Sequence, residues 1–491
     1  MGRPEPAAPT EEPLHALLPS DPVDVLAAGE LERIHWATLQ VLARVGVEVR
    51  SERVLARLGA AGAVSDPGVG RVRFPPALVE AALAEPPRTL VLAARDPARD
   101  LRLDGRHGYL ALDGCAAELV DLETGERRPS TAADLARITL VADALPQIGV
   151  LWQAVAARDR PVETQPLHEL HAQLGSSTKH VQLMTAVRPE QARSAIEIAR
   201  IVAGGDRELR ERPILSAFQC SLSPLTYDGD ALESAAVYAS AGVPCGFVAM
   251  PIACATAPAT PAAALVVSNA EVVAGVVALQ LLNPGAPTFY GACGTVMDLR
   301  SGAAACGGPE DPYFQLASAQ LARHYGLPSS IGTFATGAKG SDWQAGVEGG
   351  LSVMSSWLAG ADLLCGAGLL HGARVHSTVE MLLDAELFDL ACGLSDRMRA
   401  DEEDLATQAI LEVGPGGHFL AHPHTRRHMR RRWRSSLFGR ETWEEWESSG
   451  RPGATDRARE RVRQILAEHR PPALPETLDR RIREAIAAHG R

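Results

Sequence analysis

At 491 residues, with 46% hydrophobic and 22% charged content, the chain is long enough for one large barrel with extensions or for two domains. Its net charge of −12 disfavours sequence-independent binding to a polyanion, so no nucleic acid is expected as a partner. Apolar residues are dispersed among charges, without the uninterrupted run of about 18 that would predict a membrane span.

Met1-Gly2-Arg3-Pro4-Glu5-Pro6 lacks the apolar core of a secretory signal and the hydroxyl that a myristoylation motif needs, which leads to the expectation of a cytoplasmic protein. Residues 1–30, rich in Pro, Ala and Glu, read as a loosely ordered arm. An N-terminal cap is expected over 31–107. Within it Ile34, Thr38, Val41, Leu42 and Val45 recur at helical spacing before Gly46, and Val47-Glu48-Val49 and Val72-Arg73-Phe74 alternate like strands.

Over 108–395, short apolar runs alternate with helical stretches about every 30 to 40 residues, the size of βα units. The predicted strands are Tyr109–Val120, Ile148–Val155, His180–Thr185, Ile214–Gln219, Cys245–Met250, Thr288–Ala292, Ser330–Phe334 and Leu363–Gly366. Helices are predicted at Glu190–Val202, Asp230–Ser240, Ala262–Leu282, Tyr313–His324 and Asp342–Leu358. This α/β pattern predicts a (β/α)8 TIM barrel. An open doubly wound sheet is disfavoured, because no Gly-x-Gly-x-x-Gly follows an early strand. Residues 396–491, charged and helical, form a predicted C-terminal extension with a hinge at Arg451-Pro452-Gly453.

Eight cysteines without a Cys-x-x-Cys pair read as reduced thiols rather than a disulfide frame. His418, His422, His424 and His428 fall close together, but Gly414–Gly417 and Pro423 break any helix there and no cysteine completes a zinc pattern. No metal site is expected. The Arg426–Arg434 run reads as a solvated or partner-facing helix.

Reacting groups in such a barrel come from the C-terminal ends of strands. Those ends carry Trp152, Gln153, Thr185, Phe218, Gln219, Met250, Tyr290, Phe334 and the loop around His371, with no evident nucleophile–base pair. Aromatic faces suit a quaternary ammonium, at about 0.5–2 kcal/mol per cation–π contact. Each ring alone could equally fill a barrel layer; their coincidence at strand ends is what suggests a ligand. Trp152, Phe218, Tyr290 and Phe334 are therefore cage candidates, while Gln219, Lys339 and His371 could orient a carboxylate or hydroxyl.

Several segments taken together resemble the trimethylamine:corrinoid methyltransferase superfamily. They are 39–47 (LQVLARVGV), Ser221-Leu222-Ser223-Pro224-Leu225, Ala255–Thr260, Asn269-Ala270-Glu271, Pro284–Pro287, Ala338-Lys339 with Asp342, and Gly414–Leu420 with His424-Thr425. The resemblance implies a barrel that binds no cofactor itself and moves a methyl group from an amine to the Co(I) of a corrinoid held by a separate, cognate corrinoid protein. In the trimethylamine-specific members a pyrrolysine stands in the loop matching Gly332–Asp342. Here that loop has standard residues, with the corresponding position at or beside Ala335, and Gly337 replaces the family's acidic residue. The resemblance thus implies the branch that demethylates a small quaternary, betaine-type amine. A non-catalytic amine-binding or sensory protein and a barrel with a different acceptor, such as tetrahydrofolate, are the alternatives. The cap and tail also offer surface for a homo-oligomer.

Overall fold

The sheet at the centre of the molecule has no free edge between its parallel strands. In this computed structural model, which describes residues 15–394, 400–429 and 434–490, eight parallel strands pair in chain order. They are β1 (His107–Ala111), β2 (Ile148–Leu151), β3 (His180–Leu183), β4 (Leu215–Cys220), β5 (Cys245–Ala249), β6 (Tyr290–Ala292), β7 (Ser329–Gly332) and β8 (Leu363–Cys365). β8 closes the ring on β1 through the pairs Leu363–Tyr109 and Cys365–Ala111. The helices between and after them are α1 (Ala132–Asp143), α2 (Gln165–Ser176), α3 (Pro189–Ala203), α4 (Gly229–Ser240), α5 (Pro261–Leu282), α6 (Glu310–Tyr325), α7 (Trp343–Leu358) and α8 (Thr378–Cys392), with the short helix Asp206–Glu211 added after α3. The protein is a (β/α)8 TIM barrel.

One predicted strand is two. β1 stops at Ala111, and Glu118–Val120 joins a separate four-stranded sheet with Arg127–Pro129, Leu369–Leu370 and Val375–His376. The break is conformational: Gly114 and Cys115 have φ of 111° and 43°, which turn the chain out of the extended region.

Facing follows from register, because paired residues in parallel strands point to the same side and successive residues alternate. Phe247 of β5 packs on α5, where a Cβ added to Gly275 would lie 2.4 Å from its ring. Its partner Tyr290 therefore also faces the helices, and Gly246, Val248 and Gly291 face the barrel axis. Helix α5 is long and apolar enough to cross a membrane by length and composition, yet 78% of its most apolar window is buried. It packs between β5 and the cap helix Ala28–Arg44, as a helix apolar on all sides must.

The N-terminal end of the barrel is closed by the hairpin Leu90–Leu92 with Leu101–Leu103. The Ala93 carbonyl accepts a 2.7 Å hydrogen bond from His180 Nδ1, and Ser216 Oγ meets His180 Nε2 at 2.7 Å. Burial pushes that imidazole down to about 4, so it sits there neutral.

The expected loose arm is tied down wherever the structure describes it. Ala16–Leu17 adds an antiparallel strand to β1, Val23 N donates to Leu358 O, and Gln320 bonds both the N–H and C=O of Leu26. Backbone pairing supplies here the order that composition does not; residues 1–14 lie outside the described residues. Beyond α8, Ala454–Glu468 packs on α8 and α1, and Glu476–His489 packs on α3 and α2. The helices Glu402–Leu405, Thr407–Val413 and Pro423–His428 are largely exposed, with Ala409 their only buried hydrophobic residue. Of the arginine run, positions 430–433 lie outside the described residues.

Candidate functional site

The barrel mouth is shaped by what is missing as much as by what is present. Gly246, Gly291 and Gly332 face the axis on β5, β6 and β7, leaving room for Phe218 of β4 to reach across. A Cβ on Gly246 or Gly291 would come within 2.7 and 2.8 Å of the Phe218 ring, and one on Gly332 within 2.6 Å of Cys293 Sγ. Phe218 meets Trp152 edge to face at 4.9 Å and Phe289 at 4.6 Å. Of the predicted cage, Trp152 and Phe218 are therefore brought together.

The other two rings are not part of that wall. Tyr290 donates its hydroxyl at 3.0 Å to Asn269 of α5 and stands 6.4 Å from the ring of Tyr325, within the helix layer. Its neighbour Phe289 faces the axis in its place. Phe334 packs toward α7, with a Cβ on Gly349 only 3.7 Å from its Cδ1. Gln219 shares a side with Phe247, turned to the helices, and its buried Oε1 has no hydrogen-bond partner.

Ala335 is half-buried in the loop that links β7 to α7. Glu348 organises this loop, accepting hydrogen bonds from Thr336 Oγ1, from Gly337 N at 3.0 Å and from Gln344 Nε2 at 2.8 Å. Asp342 caps α7 through Gln344 N and Ala345 N. Lys339 is exposed and turns back onto the Gly337 carbonyl, beside a cleft of about 230 Å3. His371, held by its N–H on Ala338 O, has its pKa lowered by burial and by Lys339, Arg374 and Arg127. Lys339 and His371 are thus neighbours in a cationic corner.

A residue absent from the candidate set occupies the mouth. Asp113 follows β1 by two residues, where catalytic groups of barrels are found. Burial raises the thiols of Cys115, Cys220, Cys293 and Cys365, at strand ends spread around the ring, and the Asp113 charge adds to it, ranking after Glu169 at Cys115. By register Ala111 pairs with Cys365, which pairs with the inward-facing Gly332, and Asp113 lies two residues beyond Ala111 at the same end of the ring. Desolvation pushes the Asp113 carboxyl up to about 7, although its surface keeps partial solvent access, as do Cys115, Cys220 and Cys293. These strand-end side chains are half-buried rather than sealed in the core. The available signal was the end of β1: a strand stopping at Ala111 makes Asp113 a strand-end residue, whereas a strand run through to Val120 hides it.

All eight cysteines are free, and burial pushes Cys220 up to about 12, with Cys115, Cys293 and Cys365 also raised. These thiols are protonated and poorly nucleophilic at neutral pH. Among the described residues no group of three or more His, Cys, Asp or Glu side chains is arranged to hold a metal ion. His422 instead meets Glu412 at 3.3 Å, and the His424 and His428 rings stack at 4.2 Å.

Two of the sequence segments that carry the resemblance hold the strand-end loops in place. Glu271, fully buried, accepts from Ser221 Oγ, Ser223 Oγ and Leu225 N, so it clasps the loop after β4. Asn269 joins Tyr290 to Thr38 and Tyr325, tying β6 to the cap helix and α6.

The fold and its strand-end residues define a (β/α)8 barrel whose candidate site lies at the C-terminal ends of the strands. The family model for trimethylamine methyltransferase (MTTB) matches residues 4–490. The chain is 34% identical to trimethylamine methyltransferase MttB of Desulfitobacterium hafniense, covering 93% of this chain and 92% of that protein. It is 32% identical to a glycine betaine methyltransferase of Desulfitobacterium hafniense strain Y51, covering 95% and 97%. Among solved structures it is similar to the Methanosarcina barkeri monomethylamine methyltransferase (MtmB), with a TM-score of 0.50 at 11% identity over 90% of this chain and 93% of that one, a likeness of fold alone. The chain belongs to the trimethylamine methyltransferase family.

Proposed function

We propose that this methyltransferase moves a methyl group from a small quaternary, betaine-type amine to the Co(I) of a corrinoid carried by a separate cytoplasmic protein that docks over the barrel mouth. The observation that carries this reading is the loop Gly332–Asp342, where Phe334-Ala335-Thr336 stand in place of any specialised electrophile. A tertiary amine is a poor methyl donor until its nitrogen is charged. A quaternary amine needs no such help: when its C–N bond breaks, the electron pair stays on nitrogen, a neutral tertiary amine leaves, and no proton moves.

The residues of this chain then have positioning work to do. Trp152 and Phe218 offer aromatic edges and faces to the methylated head. The glycines on β5 and β6 make room for the Phe218 ring. The raised thiols around the mouth stay protonated and do not compete for the methyl group. Lys339 and His371 stand where a carboxylate tail could be steered. The likeness to a glycine betaine methyltransferase over nearly all of both chains supports the same reading.

The test is to incubate the protein with Co(I) corrinoid protein and a panel of glycine betaine, carnitine and choline. Loss of the Co(I) absorbance together with release of the matching tertiary amine is expected for at least one donor. Tight binding of an amine by calorimetry without turnover, while a control enzyme reacts, would instead make the protein an amine sensor. Methyl transfer to tetrahydrofolate without a corrinoid would replace the acceptor.

A further inference from the structure

We infer that the Asp113 carboxylate receives the cationic head of the methyl donor and makes the mouth select a charged quaternary centre over a neutral group of the same shape. This rests on the reading of the chain as a quaternary-amine methyltransferase. Three observations lead to it.

Asp113 is nearly bare of protein partners. Gly114 N donates to Oδ1 at 2.5 Å, and among the described residues no hydrogen bond or ion pair engages Oδ2. Burial and that single amide alone govern its titration; no arginine, lysine or histidine offsets it. A carboxylate enclosed without a counter-charge is costly to a folded protein, and the cost is relieved when a cation is brought in from outside.

The position is also right. Asp113 stands near the axis at the C-terminal rim, within electrostatic reach of Cys220, two residues beyond Phe218 on the same inward side of β4. Cys115 N, two residues on, bonds Gln153 O, next to Trp152. Asp113 and the aromatic pair are thus on adjoining strand ends. An ammonium centred between them meets negative charge on one side and ring electrons on the other.

Finally, the surroundings offer methyl groups nothing better and N–H donors little. The wall is made of thiols, glycines and ring edges. Glu169 of α2, whose charge acts on Cys115 more strongly than that of Asp113, already accepts from Ala157 N, Gln165 Nε2 and Thr185 Oγ1. Asp311 of α6, which acts on Cys293, is held by Thr295 Oγ1 and Gly307 N.

The experiment compares each ammonium with its carbon isostere, which has the same shape and no charge. Glycine betaine is paired with 3,3-dimethylbutanoate and choline with 3,3-dimethylbutan-1-ol, titrated calorimetrically into the full chain and into Asp113→Asn and Asp113→Glu. The wild type should bind at least one ammonium about tenfold or more tightly than its isostere. Asp113→Asn should bind both alike and melt no lower than the wild type, since it removes the uncompensated charge, while Asp113→Glu should retain the preference.

The pH arm has a definite sign. Carboxyl protonation below about 7 removes the counter-charge, so ammonium affinity should rise from pH 6 to 8 in the wild type and stay flat in Asp113→Asn. The thiols that face Asp113 are raised and neutral over this range. Asp311, raised to about 6, remains in both proteins, so it cannot account for a difference between them.

If the wild type prefers an ammonium and Asp113→Asn keeps that preference, the role of Asp113 is overturned while the donor reading stands. If the wild type binds no ammonium, the donor reading falls and takes this inference with it.

Discussion

Phe218 and Phe334 are the same residue type at two strand ends, and the barrel uses them differently. Phe218 points inward because the two residues facing its ring, Gly246 and Gly291, are glycine, whereas Phe334 lies toward α7 beneath the mouth loop. Truncating Phe334 to alanine should therefore act on stability, with a cost of about 3–5 kcal/mol in urea unfolding, and leave amine affinity within about twofold. Truncating Phe218 should weaken amine binding about fivefold or more through the lost ring, in addition to a stability cost. The reverse pattern would put Phe334 back into the ligand wall. Such assignments were only partly legible in the sequence. Phe289 and Tyr290 are adjacent aromatics, and alternation lets only one face the axis. The choice is made by Asn269, an amide on α5 that accepts from the Tyr290 hydroxyl and that no local pattern around residue 290 reveals.

Elements with strong periodicity and clear punctuation were readable almost to the residue. Helix α3 was predicted at Glu190–Val202 and spans Pro189–Ala203, with Gly204 in the left-handed region at its end. Helix α7 was predicted at Asp342–Leu358 and spans Trp343–Leu358, with Asp342 as its cap. The loop between β7 and α7 was less readable, because its order comes from a carboxylate one turn and a half into the helix that follows it. Glu348 Oε2 takes hydrogen bonds from both Thr336 and Gly337, while Oε1 takes Gln344. In Glu348→Gln one of these donors meets an NH2 group, at a cost of about 1–3 kcal/mol. The expected result is faster hydrogen exchange at the Gly337 and Ala338 amides and a lower methyl-transfer rate, with the melting temperature of the barrel little changed. Unaltered exchange at those two amides would mean that Glu348 does not hold the loop.

At the scale of the whole molecule, the barrel was legible because each βα unit is local, while the way the chain ends are fastened to it was not. Those fastenings pair residues hundreds of positions apart. His469 Nε2 meets Asp143 Oδ2 at 2.8 Å, where Arg99, Ser177 and Thr178 also donate to the same carboxylate. His171 meets Asp479 at 2.6 Å, and Ser194 Oγ meets His489 at 2.7 Å. Beneath these polar contacts Val462, Ile465, Ile482 and Ile486 are buried against the outer helices. At about 1.5–3 kcal/mol for each buried aliphatic side chain, these four contribute roughly 6–12 kcal/mol. That is comparable to the whole net stability of a typical protein, about 5–15 kcal/mol. The last two helices are therefore a structural belt against the outer helices of the barrel rather than a dispensable tail. A chain ending at Gly453 should melt about 10 °C or more below the full chain by circular dichroism, or fail to unfold cooperatively. An unchanged melting temperature would show that the barrel reaches its stability without the belt, and that these helices serve only the surface they present.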